Sequence, residues 1–100
     1  MTQMYEIVYT QSAILDLQWF SKNEQNQILD GIDKQLKYQP NQQTRNRKPM
    51  HSNPYATREL RIGYFRILYN IDSEVYIVEI QKVGQKRGNL FFFRGQGEQL

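Results

Sequence analysis

The sequence predicts an α+β fold in which an N-terminal strand and a helical hairpin precede an antiparallel sheet. Residues 4–9 alternate apolar and polar side chains, residues 13–36 repeat apolar side chains every three or four positions, and the chain after residue 56 returns to a period of two. The expected order is β-α-α-β-β-β, with room for one extra C-terminal strand, and the helices should pack on one face of the sheet. A length of 100 residues fits a single domain spanning residues 1–100.

The first strand is followed directly by a helix. Residues 4–9, MYEIVY, are rich in side chains that favour strands. Thr10 or Ser12 can begin the helix, because a hydroxyl accepts a hydrogen bond from a free amide of the first turn. One apolar helix face is then formed by Ala13, Leu17 and Phe20, with Ile14 beside it.

A second helix follows a short polar turn. Ser21 and Glu24 have the three-residue spacing of a capping box, which predicts where the helix starts. Pro40 disfavours helical structure in the residue before it, so this helix should end near Tyr38. Its apolar face consists of Ile28, Leu29, Ile32 and Leu36.

The segment 40–55 is polar, lacks periodicity and contains all three prolines of the chain, which is typical of a loop. This loop carries the basic side chains Arg45, Arg47, Lys48 and His51. Its basic run indicates either a solvated loop or a phosphate-binding segment, since both need exposed charge.

The C-terminal half is predicted to form hairpins. Strands are expected at residues 57–62, 64–71 and 75–83. Gly63 marks the tight turn between the first two. Gly84 should break the third strand, and residues 89–93 could add a short edge strand before Gly95 and Gly97 end the ordered structure. The buried core of this sheet should include Leu60, Phe65, Ile67, Tyr69, Val78 and Ile80.

Composition excludes several classes of protein. With no cysteine, disulfides, thiolate zinc sites and cysteine nucleophiles are ruled out, and a cytoplasmic location is expected. The first residues lack the pattern of a signal peptide, and no apolar run approaches the roughly 18 residues of a membrane span. A net charge of +3 is compatible with binding a polyanion without requiring it.

Alternation along the strands predicts a basic patch on the sheet face away from the helices. Arg61 and Arg66 should share this open face, and Lys82 or Lys86 could join them from the next strand. Such cations bind phosphates, and a nearby aromatic ring can stack a base. The alternative is that Arg61 and its neighbour Glu59 form surface pairs with no other role.

Candidates for acid–base chemistry are few. His51 is the only histidine and lies beside the basic loop, and Tyr64 adjoins the patch, so these two could move protons. An exposed polar role is the plain alternative for His51. Asp16, Asp30 and Asp33 have spacings suited to surface pairs with lysines, and no metal-ligand pattern is present.

Two stretches of the chain resemble the RelE/ParE superfamily of type II toxins. They are TRNRKPMHSNPYATRELRIGYFRILYNID and VYIVEIQKVGQKRGNLFFFRG, and they span residues 44–95, about half the chain. The blocks RELRIGYFRILY and VGQKRGN are the most specific. The resemblance implies a RelE/ParE-like fold, a toxin encoded with an antitoxin, and no cofactor.

The resemblance also assigns residues. Arg66 matches the sheet arginine that RelE-like enzymes place on the scissile phosphate, Arg61 matches a neighbouring basic strand position, and Lys86 matches a basic position after the VG turn. Glu59 departs from the family, since many RelE-like nucleases have a lysine there. Residues 91–93 are Phe where many members have a Tyr or a His cluster, and a Phe cannot exchange protons.

Two functions therefore remain in view. RelE-like members cut mRNA in the ribosomal A site without a metal, which the arginine patch favours. ParE-like members inhibit DNA gyrase and cleave nothing, which the acidic and Phe substitutions favour, as they do a toxin that has lost activity. A non-toxic RNA-binding module is a third reading. The residues expected to bind nucleic acid outside the catalytic set are Arg45, Arg47, Lys48, Lys82 and Arg87.

An antitoxin partner should need an apolar surface, because a disordered segment folds by burying area. The candidates are the outer helix face near Trp19 and the edge formed by residues 91–93. The alternative for these Phe residues is that they complete the core.

Overall fold

The computed structural model describes residues 2–100. Two helices and seven strands follow one another along the chain, with these bounds: β1 Glu6–Tyr9, α1 Gln11–Trp19, α2 Lys22–Leu36, β2 Arg47–Pro49, β3 Arg58–Ile62, β4 Phe65–Asp72, β5 Ile77–Arg87, β6 Leu90–Phe93 and β7 Gln96–Glu98. The α+β class and the leading β-α-α order predicted from the sequence are confirmed.

Both helix starts agree with the predicted caps. The Thr10 hydroxyl accepts a hydrogen bond from the Ala13 amide at 3.1 Å, so Thr10 rather than Ser12 caps α1. Ser21 and Glu24 exchange two hydrogen bonds as a capping box at the start of α2. Helix α2 ends at Leu36, close to the predicted end.

The sheet has the order β2-β3-β4-β5-β6-β7 with antiparallel neighbours throughout. Strands β3 and β4 form the predicted hairpin around Gly63, which has a φ of +58°. Strand β1 runs parallel to β5 and pairs with its residues 77–80, whereas β6 pairs with residues 85–87 on the same edge. Strands β1 and β6 thus pair with different parts of one edge of β5. We call the gap between them the fork in the β5 edge.

The helices cover one face of the sheet, and the main core lies between them. All six predicted core side chains, Leu60, Phe65, Ile67, Tyr69, Val78 and Ile80, are buried there. They pack against Ala13, Leu17, Phe20, Ile28, Ile32 and Leu36 of the helical hairpin. We call this side the helix-covered face and the opposite side the second face.

The second face has a smaller core of its own, so the prediction of an open face is wrong in part. Ala56, Leu68, Phe91 and Phe93 are buried together there, with Met50, Tyr55 and Leu100 packed against them. The loop before β3 and the C-terminal strands supply this cover. The rings of Phe91 and Phe93 therefore complete a core, as the alternative reading held.

Three local predictions are also wrong. The segment 40–55 contains a strand, β2, in which Lys48 pairs with Glu59 of β3. Gly84 does not break β5, because its missing side chain lets the Phe92 carbonyl and the Phe93 ring approach the strand. Gly95 and Gly97 do not end the order, since β7 pairs with β6 across that turn.

Asp16 is fully buried rather than a surface residue, which corrects the pairing predicted for it. Its carboxylate lies at the fork in the β5 edge, where it accepts from the Val83 amide at 2.9 Å and from the Lys82 ammonium at 3.2 Å. Arg94 adds an ion pair at 3.1 Å. The predicted surface pair is present only between Asp30 and Lys34, at 3.0 Å.

Neither helix of the described chain, residues 2–100, combines the length and the apolar character that crossing a membrane requires.

Candidate nucleic-acid interface

A cavity of about 220 Å³ lies over the second face, between β2, β3, β5 and β6. Strand register explains its walls: Lys48 stands opposite Glu59 across β2 and β3, and Lys86 stands opposite Phe91 across β5 and β6. The remaining lining residues are Pro49, Met50, His51, Arg61 and Leu100. Four residues assigned from the sequence, Lys48, His51, Arg61 and Lys86, are therefore brought together here.

The charge of this cavity is positive. Three cationic side chains, from Lys48, Arg61 and Lys86, face one carboxylate, that of Glu59. The Lys86 ammonium lies 5.3 Å from the centre of the Phe91 ring, which keeps this cation near an apolar wall. Cations gathered in a recess of low polarity attract a phosphate more strongly than the same cations spread over a surface.

Glu59 is an acidic residue held between two arginines. It is only 7% exposed, its Oε1 accepts from Arg61 Nη2 at 3.3 Å, and its Oε2 lies 4.0 Å from Arg66 Nε. Oε2 and the Nε atoms of both arginines are buried without a hydrogen-bond partner. The pairing is therefore incomplete, which is unusual for charged groups in a protein interior.

Arg66 lies beneath the cavity and does not line it. Its Nη1 donates to the carbonyls of Gly63 at 2.7 Å and Phe65 at 2.9 Å, so the guanidinium ties down the β3–β4 turn. Burial lowers the pKa of Arg66, and the Glu59 charge opposes that shift. The alternation that put Arg61 and Arg66 on one face is correct, but Arg61 is the arginine that reaches the cavity.

Comparison with known proteins places this geometry in context. No family model matches the chain, and no curated protein matches its sequence. Among solved structures, the toxin–antitoxin complex RelBE2 from Mycobacterium tuberculosis matches with a TM-score of 0.72 and 26% identity, over 83% of this chain and 92% of that one. The archaeal RelE–RelB complex from Pyrococcus horikoshii OT3 matches with a TM-score of 0.66 and 20% identity, over 85% of this chain and 97% of that one, which shows the fold.

The chain has a RelE-like fold, and it is similar to the RelE-like toxin superfamily. The resemblance read from residues 44–95 is thereby confirmed, and the match extends it to most of the chain.

Two cations of this RelE-like chain make contacts within the fold. Arg47 Nη1 donates to the carbonyls of Gln35 and Gln39 at 2.9 Å each, which satisfies the C-terminal end of α2. Lys82 is 7% exposed and is held by Asp16. Their assignment to nucleic-acid binding stays a prediction, and both charges contact groups of the protein itself.

The other assigned residues do not line the cavity. Arg45 is exposed in the loop, and Arg87 is exposed with its guanidinium 5.7 Å from the centre of the Phe92 ring. Tyr64 is 54% exposed at the β3–β4 turn, and its carbonyl accepts from the Lys86 amide at 3.0 Å. Its ring lies 4.8 Å from the ring of Phe65, measured between centroids.

The burial of Glu59 was not visible in the sequence. Alternation places Glu59 on the same face as Arg61 and Arg66, so the sequence did signal that the three are neighbours. It could not show that the 50–56 loop and the C-terminal strands cover that face.

Proposed function

We propose that this chain is the toxin of a type II toxin–antitoxin pair and that it inhibits translation by cleaving mRNA on the ribosome. The observation that carries the proposal is the cavity in which Lys48, Arg61 and Lys86 converge on the second face of a RelE-like fold. Convergent cations on a rigid sheet suit a phosphodiester, because the sheet holds the charges in place before the substrate arrives.

Metal-free cleavage of RNA creates negative charge on the phosphorane. Arg61 and Lys86 stand on different strands across the cavity, so together they can meet two oxygens of one phosphate. Tyr64, exposed at the β3–β4 turn, offers a ring on which a base can stack. Arg45 and Arg87 lie outside the cavity and would bind the RNA backbone through release of counterions.

The antitoxin would bind the outer face of α1. Trp19 is 51% exposed there, and Leu15 and Ile14 are 39% and 38% exposed, so three large apolar side chains meet the solvent on one helix. A disordered antitoxin segment would gain its affinity by covering such a surface. The alternative site predicted at residues 91–93 is no longer an edge, because β7 covers β6.

A co-purification experiment tests this surface. The chain is expressed with the protein encoded beside its gene, and Trp19→Glu should lower the amount of partner recovered while Leu29→Glu on α2, which is 36% exposed, should not. Equal recovery for wild type and Trp19→Glu would contradict the assignment. Truncation after Asn89 is unsuitable, since it removes β6 and β7 and with them half of the second core.

Induced expression with primer extension on abundant mRNAs tests the activity, followed by cleavage of a defined mRNA on purified ribosomes. We expect new 5′ ends within the ribosome-protected codons and none on free RNA. A gyrase supercoiling assay on the same preparation addresses the ParE-like alternative. Inhibited supercoiling without mRNA cleavage would replace the nuclease proposal.

A further inference from the structure

We propose that Glu59 competes with phosphate for Arg61 and thereby lowers the affinity of the cavity for free RNA. This inference rests on the proposed function, because it concerns the phosphate that the cavity would bind. It gives Glu59 an electrostatic part in selecting the substrate and no part in moving protons.

Arg61 contacts a buried carboxylate and also lines the cavity. Glu59 and Arg61 are two residues apart on β3, so their side chains leave the same face of the sheet. The Glu59 side chain is 9% exposed, whereas that of Arg61 is 33% exposed. The guanidinium of Arg61 can therefore be reached by two anions, the carboxylate of the protein itself and an anion that enters the cavity.

The contact between Glu59 and Arg61 is weak for an ion pair. An arginine commonly pairs with a carboxylate through two hydrogen bonds, each about 2.7–2.9 Å long. Here a single bond joins Arg61 Nη2 to Glu59 Oε1 at 3.3 Å, and Glu59 Oε2 stays 4.0 Å from Arg66 Nε. Oε2 and the Nε atoms of both arginines have no hydrogen-bond partner. A phosphate, which offers several oxygens, would therefore bind Arg61 more completely than Glu59 does.

Glu59 supplies the negative charge among the residues that line the cavity. Three positive charges, on Lys48, Arg61 and Lys86, stand against this one carboxylate. Lys48 lies opposite Glu59 across β2 and β3, so the carboxylate is near a second cation as well. Salt screens charges in a recess much less than charges on an open surface. The carboxylate therefore opposes the entry of an anion into the cavity, whatever the base sequence of the RNA.

Competition of this kind favours an RNA strand that other contacts already hold in place. Free RNA binds a cationic site mainly through its backbone charge and the release of counterions. Glu59 weakens that attraction, because Arg61 must leave one anion in order to bind another. A strand held by a larger assembly has a high effective concentration at the cavity and can still displace the carboxylate. Glu59 would thus discriminate between free and positioned RNA.

The test measures binding of the isolated chain to a short 2′-O-methyl RNA, which lacks the hydroxyl that cleavage requires. Fluorescence anisotropy at several salt concentrations gives the affinity. Glu59→Gln should bind about 2–10-fold more tightly than wild type, which is the effect of one partly screened charge pair. Glu79→Gln is the matched control, since it removes the same charge from an exposed position of β5 that does not line the cavity. It should change the affinity little.

A double-mutant cycle shows whether the gain in affinity depends on Arg61. In the Arg61→Gln background, Glu59→Gln should raise the affinity by less than about twofold, because the guanidinium that it would release is gone. In the Lys86→Gln background the gain should persist, since that cation is not paired with Glu59.

The wild-type chain supplies a second measurement, because Glu59→Gln removes an anion that lies between two arginines and can itself disturb the fold. The carboxylate carbon of Glu59, observed by NMR, should shift when inorganic pyrophosphate is added, since Arg61 then leaves the carboxylate. An unchanged signal at saturating pyrophosphate would overturn the competition.

The outcomes separate this inference from the proposed function. Equal RNA affinity of wild type and Glu59→Gln, an equal gain from Glu79→Gln, or a full gain in the Arg61→Gln background would overturn the competition and leave the nuclease proposal standing. RNA affinity that is unchanged in both Arg61→Gln and Lys86→Gln would show that the cavity does not bind the backbone. That result would remove the observation that carries the proposed function, and this inference with it.

Discussion

Neighbouring basic residues of this chain differ in what they contact. Arg45 meets the solvent, Arg47 satisfies the carbonyls at the end of α2, and Lys48 lines the cavity. The three residues lie within four positions of one another. Arg45 precedes strand β2, which begins at Arg47, and the side chains of Arg47 and Lys48 point to opposite faces because they are successive residues of a strand. Charge in a sequence therefore does not identify which cation meets a ligand.

Arg47→Ala should destabilise the fold. The change removes hydrogen bonds from a charged donor to the carbonyls of Gln35 in the last turn of α2 and of Gln39 beyond it, which are worth about 1–3 kcal/mol together. Chemical denaturation should show the lower unfolding free energy. Arg45→Ala is the control, since it should keep the stability of wild type and instead weaken ribosome binding, with a shallower dependence on salt. A stable Arg47→Ala protein with weaker binding would reverse this assignment.

Arg61 and Arg66 should separate activity from stability. Arg61 lines the cavity, so Arg61→Ala should reduce cleavage by about 10²–10³ at nearly constant melting temperature. Arg66 holds the Gly63 turn and is 14% exposed in its side chain, so Arg66→Ala should lower the melting temperature as well. Growth inhibition and thermal melting on the same variants distinguish the two. Arg66→Ala with full toxicity would show that this arginine has no part in the site.

Tyr9 should make the fold sensitive to alkali. Burial, with a smaller contribution from the charge of Asp33, raises the pKa of Tyr9 from 10.0 to about 12. Because the folded-state pKa is raised, the stabilising effect is fully present below pH 10 and is lost as the pH rises through 12. Denaturation of Tyr9→Phe between pH 9 and pH 12 should show a smaller loss of stability than wild type. Parallel curves for the two proteins would contradict this expectation.

At the scale of elements, the sequence left open whether a glycine within a strand pattern ends the strand. A glycine in a strand pattern can mark a break or a close approach of another backbone, and period-two alternation does not distinguish them. Gly84 belongs to the second kind, because β6 crosses close to it. Strand β5 consequently continues for 11 residues and carries Lys86 into the cavity.

Gly84→Ala should loosen the C-terminal strands. A methyl group there would meet the Phe92 carbonyl, and a backbone atom cannot move aside without disturbing the pairing of β5 with β6. We expect a loss of about 1–3 kcal/mol, as for overpacking in a core, and faster amide exchange in β6 and β7. Gly31→Ala in α2 is the comparison, since its methyl group would meet the flexible end of Ile62 and the helix gains from alanine. Equal stability of both variants would contradict the close approach.

At the scale of the whole molecule, the two faces of the sheet are linked by contacts at the fork in the β5 edge. Asp16 joins three parts of the chain there: α1, the Val83 amide of β5, and Arg94 in the turn before β7. The C-terminal strands that cover the second face are thus tied to the helical hairpin on the other side of the sheet. Phe91 of β6, one of these C-terminal strands, lines the cavity.

Asp16→Ala should be the most damaging substitution of those considered. It removes the carboxylate that pairs with the buried ammonium of Lys82 and leaves the Val83 amide without its acceptor, and loss of one partner of a buried pair costs about 3–5 kcal/mol. Asp30→Ala, which breaks an exposed pair with Lys34, should have little effect. Thermal unfolding of the two variants tests the difference. Similar melting temperatures would mean that the fork does not need its carboxylate.

The sequence by itself determined the class of the fold, the capping box of α2, the Gly63 hairpin and the main core. These features rest on local signals: hydroxyls at helix starts, apolar side chains at three and four, and alternation in strands. Leu60, Phe65 and Ile67 could be assigned to the buried face because alternation is a property of each strand alone. The family resemblance was carried by contiguous blocks of sequence, and the structural match to the RelBE2 complex confirms it.

Only the tertiary structure decided which charges are available. Asp16, Glu59 and Lys82 look like surface residues in the sequence, and each is buried because a segment distant in the chain covers it. The loop 50–56 and the strands β6 and β7 close over the second face, and no local pattern specifies where such segments pack. The sequence therefore predicted an open basic patch where the structure has a cavity with the buried carboxylate of Glu59. The physical reason is that the exposure of a charge depends on long-range contacts and not on its neighbours in the chain.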